Sequence, residues 1–293
     1  MARPSRAAVI KDEAKKSILL LPAVLLLLCF FIIPIVLTVY YSFTNLALSG
    51  ANAKNVEFIG FENYKRMLTD PSTMTSIKNT LLFWWAAFGA ECPGIFDRLF
   101  HERKTQGSAK LCGTLYPGGM GYAGDCGCPV LYGIFKDNGT MNMILGAVHI
   151  PAVSWLFKHP MMTVVIANVW HGTAFSMLNF QSALDNVSGD IEEAARVDGA
   201  NRFQTLIRII VPCIKDTIAT NTMLNTLSTL GVFGLIYAMT GGGPGSSTTT
   251  LPIFMYNQGL KGLQLGYGTA IGMLILLVGA VCSVIYTRIL KDQ

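Results

Sequence analysis

The stretch Asp190–Pro212, DIEEAARVDGANRFQTLIRIIVP, is polar and charged, yet it lies between two long apolar runs, 161–184 and 217–239. A chain that alternates in this way holds a docking segment at a membrane surface. Asp190 followed three residues later by Glu193 is a capping-box-like helix start. Ala194 and Ala195 are strong helix formers with almost no side chain, so another backbone can approach. Gly199 offers the left-handed conformation that ends a helix. A second amphipathic run follows, with Phe203, Leu206, Ile207 and Ile210 on one side and Arg202 and Arg208 among the polar positions. Pro212 closes it. The spacing predicts two short helices with a break between them.

Composition agrees with a membrane chain. Of 293 residues, 52% are hydrophobic and 13% charged, and the mean hydropathy is +0.46. Soluble domains carry roughly 25% charged residues. Seven cysteines stand at no repeating spacing, so no disulfide framework is implied. The net charge of +5 is accounted for by Lys and Arg gathered in cytoplasmic loops, and no nucleic-acid partner is expected.

The decisive stretch resembles a known motif. Glu193-Ala194-Ala195, three residues, Gly199, nine residues, then Ile209-Ile210-Val211-Pro212 is similar to the EAA motif of bacterial ABC-importer permeases. Val211 stands where the family pattern has Leu. Asp198-Gly199-Ala200 resembles the DGA variant of carbohydrate-uptake permeases. Phe58-Ile59-Gly60-Phe61-Glu62-Asn63-Tyr64 resembles the segment that follows the first span in sugar permeases. Thr240 to Pro244 resembles their external TxGGP loop. That loop also looks like a phosphate cradle, but it lacks the Gly-Lys-Ser/Thr ending.

The resemblance implies an all-α, polytopic membrane protein of about six transmembrane helices with the type I ABC importer permease fold. It is most like the maltose and glycerol-3-phosphate permeases of the bacterial cytoplasmic membrane. The implied partners are a second permease, a dimer of a cytoplasmic ATP-binding subunit, an extracytoplasmic solute-binding protein, a carbohydrate solute and membrane lipid. ATP would be used by the partner, so neither a cofactor nor a catalytic residue is expected in this chain. The implied ATPase contact is Glu193, Ala194, Ala195, Asp198, Gly199, Ala200 and Pro212. Two other classes share some of these features. One is a permease for a polyamine or an anion, and the other a membrane-embedded metal-binding or enzymatic protein.

Along the chain, residues 1–16 are basic and are expected in the cytoplasm, and the permease domain runs over 17–293, with the coupling loop at 185–215. The apolar run 18–41 is longer than a signal-peptide core, so it reads as an uncleaved first span. Spans are expected also at 161–184, 217–239 and 269–286, and 145–157 reads as an interfacial segment. The stretch 91–130 is anomalous: it is Gly- and Cys-rich and holds no apolar run of spanning length. A local shift of reading frame would leave such a stretch between family-like flanks. Cys92, Cys112, Cys126, Cys128 and His101 there match no usual metal-ligand spacing. Six spans with both ends inside would put 15 of the 22 Lys and Arg in the cytoplasm, together with the Glu193 stretch. Within 217–239, Asn221, Asn225, Ser228 and Thr229 recur at spacings of three and four, so most share one helix face. A polar face in lipid either bonds to neighbouring helices or lines a wet path. These four are the candidate solute-path residues.

Overall fold

The computed structural model describes residues 21–101 and 127–291, and these residues are helical apart from turns, loops and a single bridge between Thr44 and Phe58. They fall into two compact units. One holds the described residues up to Met67 together with Asn257–Met273, and the other holds Leu68–Tyr256 and the described residues from Leu274 onward. Residues 102–126 lie outside the described residues. So do the cysteine candidates Cys112 and Cys126 and most of the anomalous stretch.

In the first unit, α1 (Leu21–Ser42) is a helix of 22 residues with mean hydropathy 2.9, long and apolar enough to cross a membrane. Directly after it the chain is clamped. The Asn63 side chain, buried in α2 (Glu62–Thr69), donates to the Ser42 and Thr44 carbonyls, each at 2.9 Å. Tyr64 and Ser42 share a hydroxyl hydrogen bond of 2.8 Å. The Asn-Tyr pair of the sequence segment 58–64 is therefore a staple that turns the chain at the end of α1. Leu46 and Leu48 are tied by backbone hydrogen bonds to Gly266 and Leu263.

The second unit is built on α3 (Pro71–His101), a helix of 31 residues. The apolar run 79–90 is short of a span and leads into Glu91 and Pro93. The helix instead runs on to His101, so helical propensity and context outweigh the cost of one interior proline. Further along come α4 (Gly127–Phe135), α5 (Thr140–Ala147) and α6 (Pro160–Asp185). The surface stretch is α7 (Gly189–Val197) and α8, which runs from Arg202–Thr205 through a π-helical turn, Leu206–Ile210, to Val211–Cys213. Then follow α9 (Lys215–Leu230), α10 (Gly234–Met239), α11 (Leu251–Tyr256) and α12 (Leu265–Lys291). The expected span 217–239 is thus two helices. Gly231 caps α9, and the chain resumes helical form at Gly234. Among the described residues three helices are long and apolar enough to span: α1, α6 and α12.

Helix α6 packs along both α3 and α9. Phe83, Leu131, Phe135, Val164, Ala167, Ile236, Met239 and Ile253 form the core beneath one end of these helices. The segment 145–157 is tied to the end of α4 and the start of α5 by one buried amide. Asn142 donates to the carbonyls of Asp137 and Val153 and accepts from the Val153 N–H and the Trp155 indole.

The glycine-rich loop 240–245 is closed on itself. Thr249 Oγ1 donates to the Gly242 carbonyl at 2.9 Å, Thr248 Oγ1 to the Gly243 carbonyl at 3.0 Å, and the Thr240 and Thr248 hydroxyls meet at 2.7 Å. Its resemblance to a phosphate cradle ends there. Gly242 has φ +95°, and a Cβ would stand 2.9 Å from Thr249 Oγ1 and 3.0 Å from Ile253 Cγ2. Gly245 has φ +63° with open space around it. Gly242→Ala is therefore expected to destabilise the protein by about 1–3 kcal/mol, and Gly245→Ala by less. Thermal unfolding of the two detergent-solubilised variants checks the order, and equal losses would contradict the close packing at Gly242.

Candidate functional site

The surface elbow between α7 and α8 is fixed by its own hydrogen bonds. Ser188, not Asp190, caps α7: its hydroxyl accepts from the Asp190 N–H at 3.3 Å and donates to the Asp190 carboxylate. At the other end Gly199 takes φ +76°. The Ala200 N–H then reaches the Ala195 carbonyl at 3.0 Å, and the Gly199 N–H reaches the Arg196 carbonyl at 3.1 Å. That pair of bonds is a Schellman stop, which needs a left-handed residue at this position. Two residues on, Asn201 and Gln204 form a reciprocal capping box. The Gln204 N–H donates to Asn201 Oδ1 at 2.8 Å, and the Asn201 N–H to Gln204 Oε1 at 2.9 Å. A Schellman stop followed at once by a capping box leaves the four-residue turn 198–201 little freedom.

Helix α8 is seated by Leu206, Ile210 and, directly after its last turn, Ile214. These pack with Phe180 and Leu184 of α6 into one buried cluster. The expected stripe differs here, because Phe203 and Ile207 are exposed. Residues 206, 210 and 214 stand four apart, and the π-helical turn keeps that spacing on one side.

The motif residues divide. Glu193, Ala194 and Asp198 are exposed, Pro212 is exposed in the last turn of α8, and Ala200 is half-buried. Ala195, expected to seat a partner, is 3% exposed and turned into the chain itself. Two apolar side chains that the motif did not single out stand on the surface of α7. Val197 is 88% exposed and Ile191 40%. A β-branched apolar residue beside the glycine stop was the available signal for Val197.

The polar face of α9 is also resolved. Asn221 and Asn225 both donate to Ser176 Oγ of α6, at 2.9 and 2.7 Å. Asn179 donates to Asn221 Oδ1 at 2.8 Å, and Asn168 to Thr229 Oγ1 at 3.3 Å. On the adjoining face Thr226 shares a hydrogen bond of 3.0 Å with the Tyr286 hydroxyl of α12. Asn221, Asn225 and Thr229 are buried in this ladder, whereas Ser228 is exposed. The pairing 168 with 229 and 179 with 221 shows that α6 and α9 run antiparallel. About a quarter-turn from the ladder, α9 exposes Thr220, Leu224 and Ser228, and Gly231 follows at its cap. The same offset on α6 exposes His171, Phe175, Leu178 and Ser182. Because the helices are antiparallel, both stripes lie on one side of the pair. Residues 171–182 and 220–231 carry no Asp, Glu, Lys or Arg.

Among the described residues no group of His, Cys, Asp and Glu could hold a metal ion. The side chains of Cys92, His101 and Cys128 are outside the description.

A family model described as the binding-protein-dependent transport system inner membrane component matches residues 128–292. The sulfoquinovosyl glycerol transport system permease protein of Agrobacterium fabrum is 30% identical over 305 residues, covering 100% of this chain and 96% of that protein. The multiple sugar-binding transport system permease protein of Streptococcus mutans is 29% identical over 269 residues, covering 89% and 90%. Among solved structures, a chain of a bacterial alginate ABC transporter superposes with a TM-score of 0.78. That complex contains an alginate pentasaccharide-bound periplasmic protein. The match has 22% identity and covers 95% of this chain and 94% of the other.

Proposed function

The chain belongs to the family of binding-protein-dependent transport system inner membrane components, and from that membership we propose how its two surface features divide the work of import. The chain is a permease subunit of an ATP-driven importer in the cytoplasmic membrane, not an enzyme. It works with a solute-binding protein outside, and a separate subunit hydrolyses ATP. In our reading the exposed face of α6 and α9 borders the solute path, and the α7–α8 elbow receives the ATPase.

The observation that carries the solute reading is the uncharged character of that exposed face. Four polar side chains, His171, Ser182, Thr220 and Ser228, alternate with Phe175, Leu178 and Leu224. Facing lipid, these polar groups would be costly. Facing a sugar, hydroxyl and imidazole groups match its hydroxyls, and the apolar groups match its C–H faces. A polyamine or an anion would call for counter-charges, which this face does not hold. The names of the sugar and sulfoquinovosyl glycerol relatives support the carbohydrate class. Asn221, Asn225 and Thr229 then act as positioning residues behind the face, and Ser228 remains a path residue.

Coupling follows from stiffness. ATP closes the partner dimer and displaces α7. The turn 198–201 passes the displacement to α8, whose Leu206, Ile210 and Ile214 grip the end of α6. The two path helices move with it, a rigid-body switch. No bound cofactor is required of this chain, since ATP belongs to the partner.

The test uses a variant whose seven cysteines are replaced, reconstituted with its partner subunits. Single cysteines at Thr220, Ser228 and His171 should react with a hydrophilic maleimide, at rates that change when the ATPase is trapped with ATP and vanadate. A cysteine at Asn225 should stay unreactive. Equal labelling at Asn225 and Ser228 would overturn the division between path face and ladder.

A further inference from the structure

We propose that the C-terminal half of α12 is a lever that rocks on α9 when the importer changes access, latched to Thr226 on one side of its pivot and free to close a gap on the other. From Leu274 onward α12 belongs to the second unit. Before that point it holds Tyr267, Ala270 and Ile271 buried, whereas none of the side chains described from Gly272 to Arg288 is buried. Three meeting points place this half along α9. Leu274, Ile275 and Val278 line an apolar gap of about 110 Å³ together with Leu230 of α9 and with Ile77 and Leu81 of α3. Gly279 lies against Leu227, where a Cβ would stand 3.8 Å from Leu227 Cδ2. Further along, the Tyr286 hydroxyl meets Thr226 Oγ1 at 3.0 Å, and Thr226 is buried. Positions on α9 fall as those on α12 rise, so the two helices are antiparallel. Because α9 starts at the elbow, Tyr286 lies toward the elbow's side of the membrane.

The pivot has something changeable on each side. At Gly279 the helices touch with no side chain of α12 wedged between them, so tilting there breaks little packing. On one side the gap leaves the apolar groups around it short of contacts, which closure restores. The gap is walled by helices of this chain, so it does not depend on what covers the outward side of α12. On the other side, Thr226 is the one polar partner that this half finds outside its own helix among the described residues. At 1.5 Å per residue, Leu274 and Tyr286 stand about 8 and 10 Å from Gly279. The arms are therefore of similar length, and closing the gap lifts Tyr286 off Thr226 by about as much. A displacement of about 1 Å already takes a hydrogen bond of this length beyond reach. A closed gap and a made latch exclude each other, which gives the lever two positions. The elbow moves α9 by way of α8 and α6, and the latch decides whether the end of α12 follows.

The lever requires the two access states of an importer, not the solute reading given above. In the cysteine-replaced permease, reconstituted with its partner subunits in bilayers, one pair of spin labels is placed at Leu82 and Leu277, across the gap. A second pair is placed at Asp216 and Arg288, at the ends of α9 and α12 near the latch. Between the nucleotide-free and the ATP-vanadate-trapped complex, one distance should shorten while the other lengthens. Two unchanged distances, the result if a side chain of the second permease fills the gap, would overturn the proposal, and so would two that change in the same sense. Tyr286→Phe keeps the ring and Thr226→Val keeps the shape, and each removes the latch. Each should shift the populations toward the closed gap by about twofold to tenfold, the weight of one neutral hydrogen bond. The double variant should shift them no further than either alone. Val278→Phe, which fills the gap, should shift them in the opposite sense. Additive single effects would overturn the latch, and Val278→Phe acting in the same sense as Tyr286→Phe would overturn the lever.

Discussion

Gly199→Val is expected to leave the permease inserted in the membrane while cutting ATPase association, or solute-stimulated ATP turnover, by about tenfold or more. Gly199 holds φ +76° and has open space around the missing Cβ, so the loss comes from the backbone and not from a clash. A β-branched residue in that conformation costs about 1–3 kcal/mol, enough to favour a different turn. The Schellman bonds from Gly199 and Ala200 go with it, and α7 loses its fixed angle to α8. A coupling free energy of this size corresponds to roughly 5- to 150-fold in the linked equilibrium. Gly199→Asn is the informative companion, since Asn visits the left-handed region with its side chain bonded locally. Asn should restore most of the coupling. Co-purification of the ATPase and its turnover with the solute-binding protein present report both variants. Normal coupling in Gly199→Val would show that the elbow does not transmit the stroke.

Ser176→Ala should have the largest effect on stability. Ser176 Oγ is the common acceptor for two buried amides, Asn221 and Asn225. Removing it strands two N–H donors where water does not reach, at about 1–3 kcal/mol each. Hydrogen bonds between membrane helices often contribute less, about 0.6 kcal/mol on average in one well-measured case. We therefore expect a net loss of about 2–4 kcal/mol, read as a lower unfolding temperature and a reduced yield of folded protein. Ser182→Ala, on the exposed face of the same helix, should leave stability unchanged. If Ser176→Ala unfolds like the parent protein, the ladder is not what holds α6 to α9.

Much of this was legible in the residues. The apolar runs at 18–41, 161–184 and 269–286 found α1, α6 and α12, because length and hydropathy are local properties. Gly199 was readable as a helix stop, since only a few residues tolerate its conformation. Asn221, Asn225 and Thr229 were readable as one face. What faces them was not, because a period of three and four residues names a side of a helix and not its neighbour. Only the antiparallel α6, with Ser176 and Asn179 at matching heights, shows the stripe to be turned inward and Ser228 outward. Ala195 was ambiguous in the same way: a small residue is equally suited to a partner's cleft and to its own bundle, and here it is 3% exposed. The cap of α7 was misplaced by two residues, because Asp190 and Glu193 carry the right spacing while Ser188 makes the bond. The break at Gly231 was hidden by the apolar residues on both sides of it. Asn63 and Asn142 are staples whose partners lie in loops, where no periodicity announces them.

Photo-crosslinking from α7 tests most directly whether this helix is the surface on which the ATPase acts. In the assembled complex, a photoreactive residue at Ala194 or at Val197 should capture the ATP-binding subunit, with a yield that changes between nucleotide-free and ATP-vanadate-trapped states. One at Ser246, directly after the glycine-rich loop, should capture none. Absence of ATPase adducts from both Ala194 and Val197, in a complex that still contains the ATPase, would contradict the account.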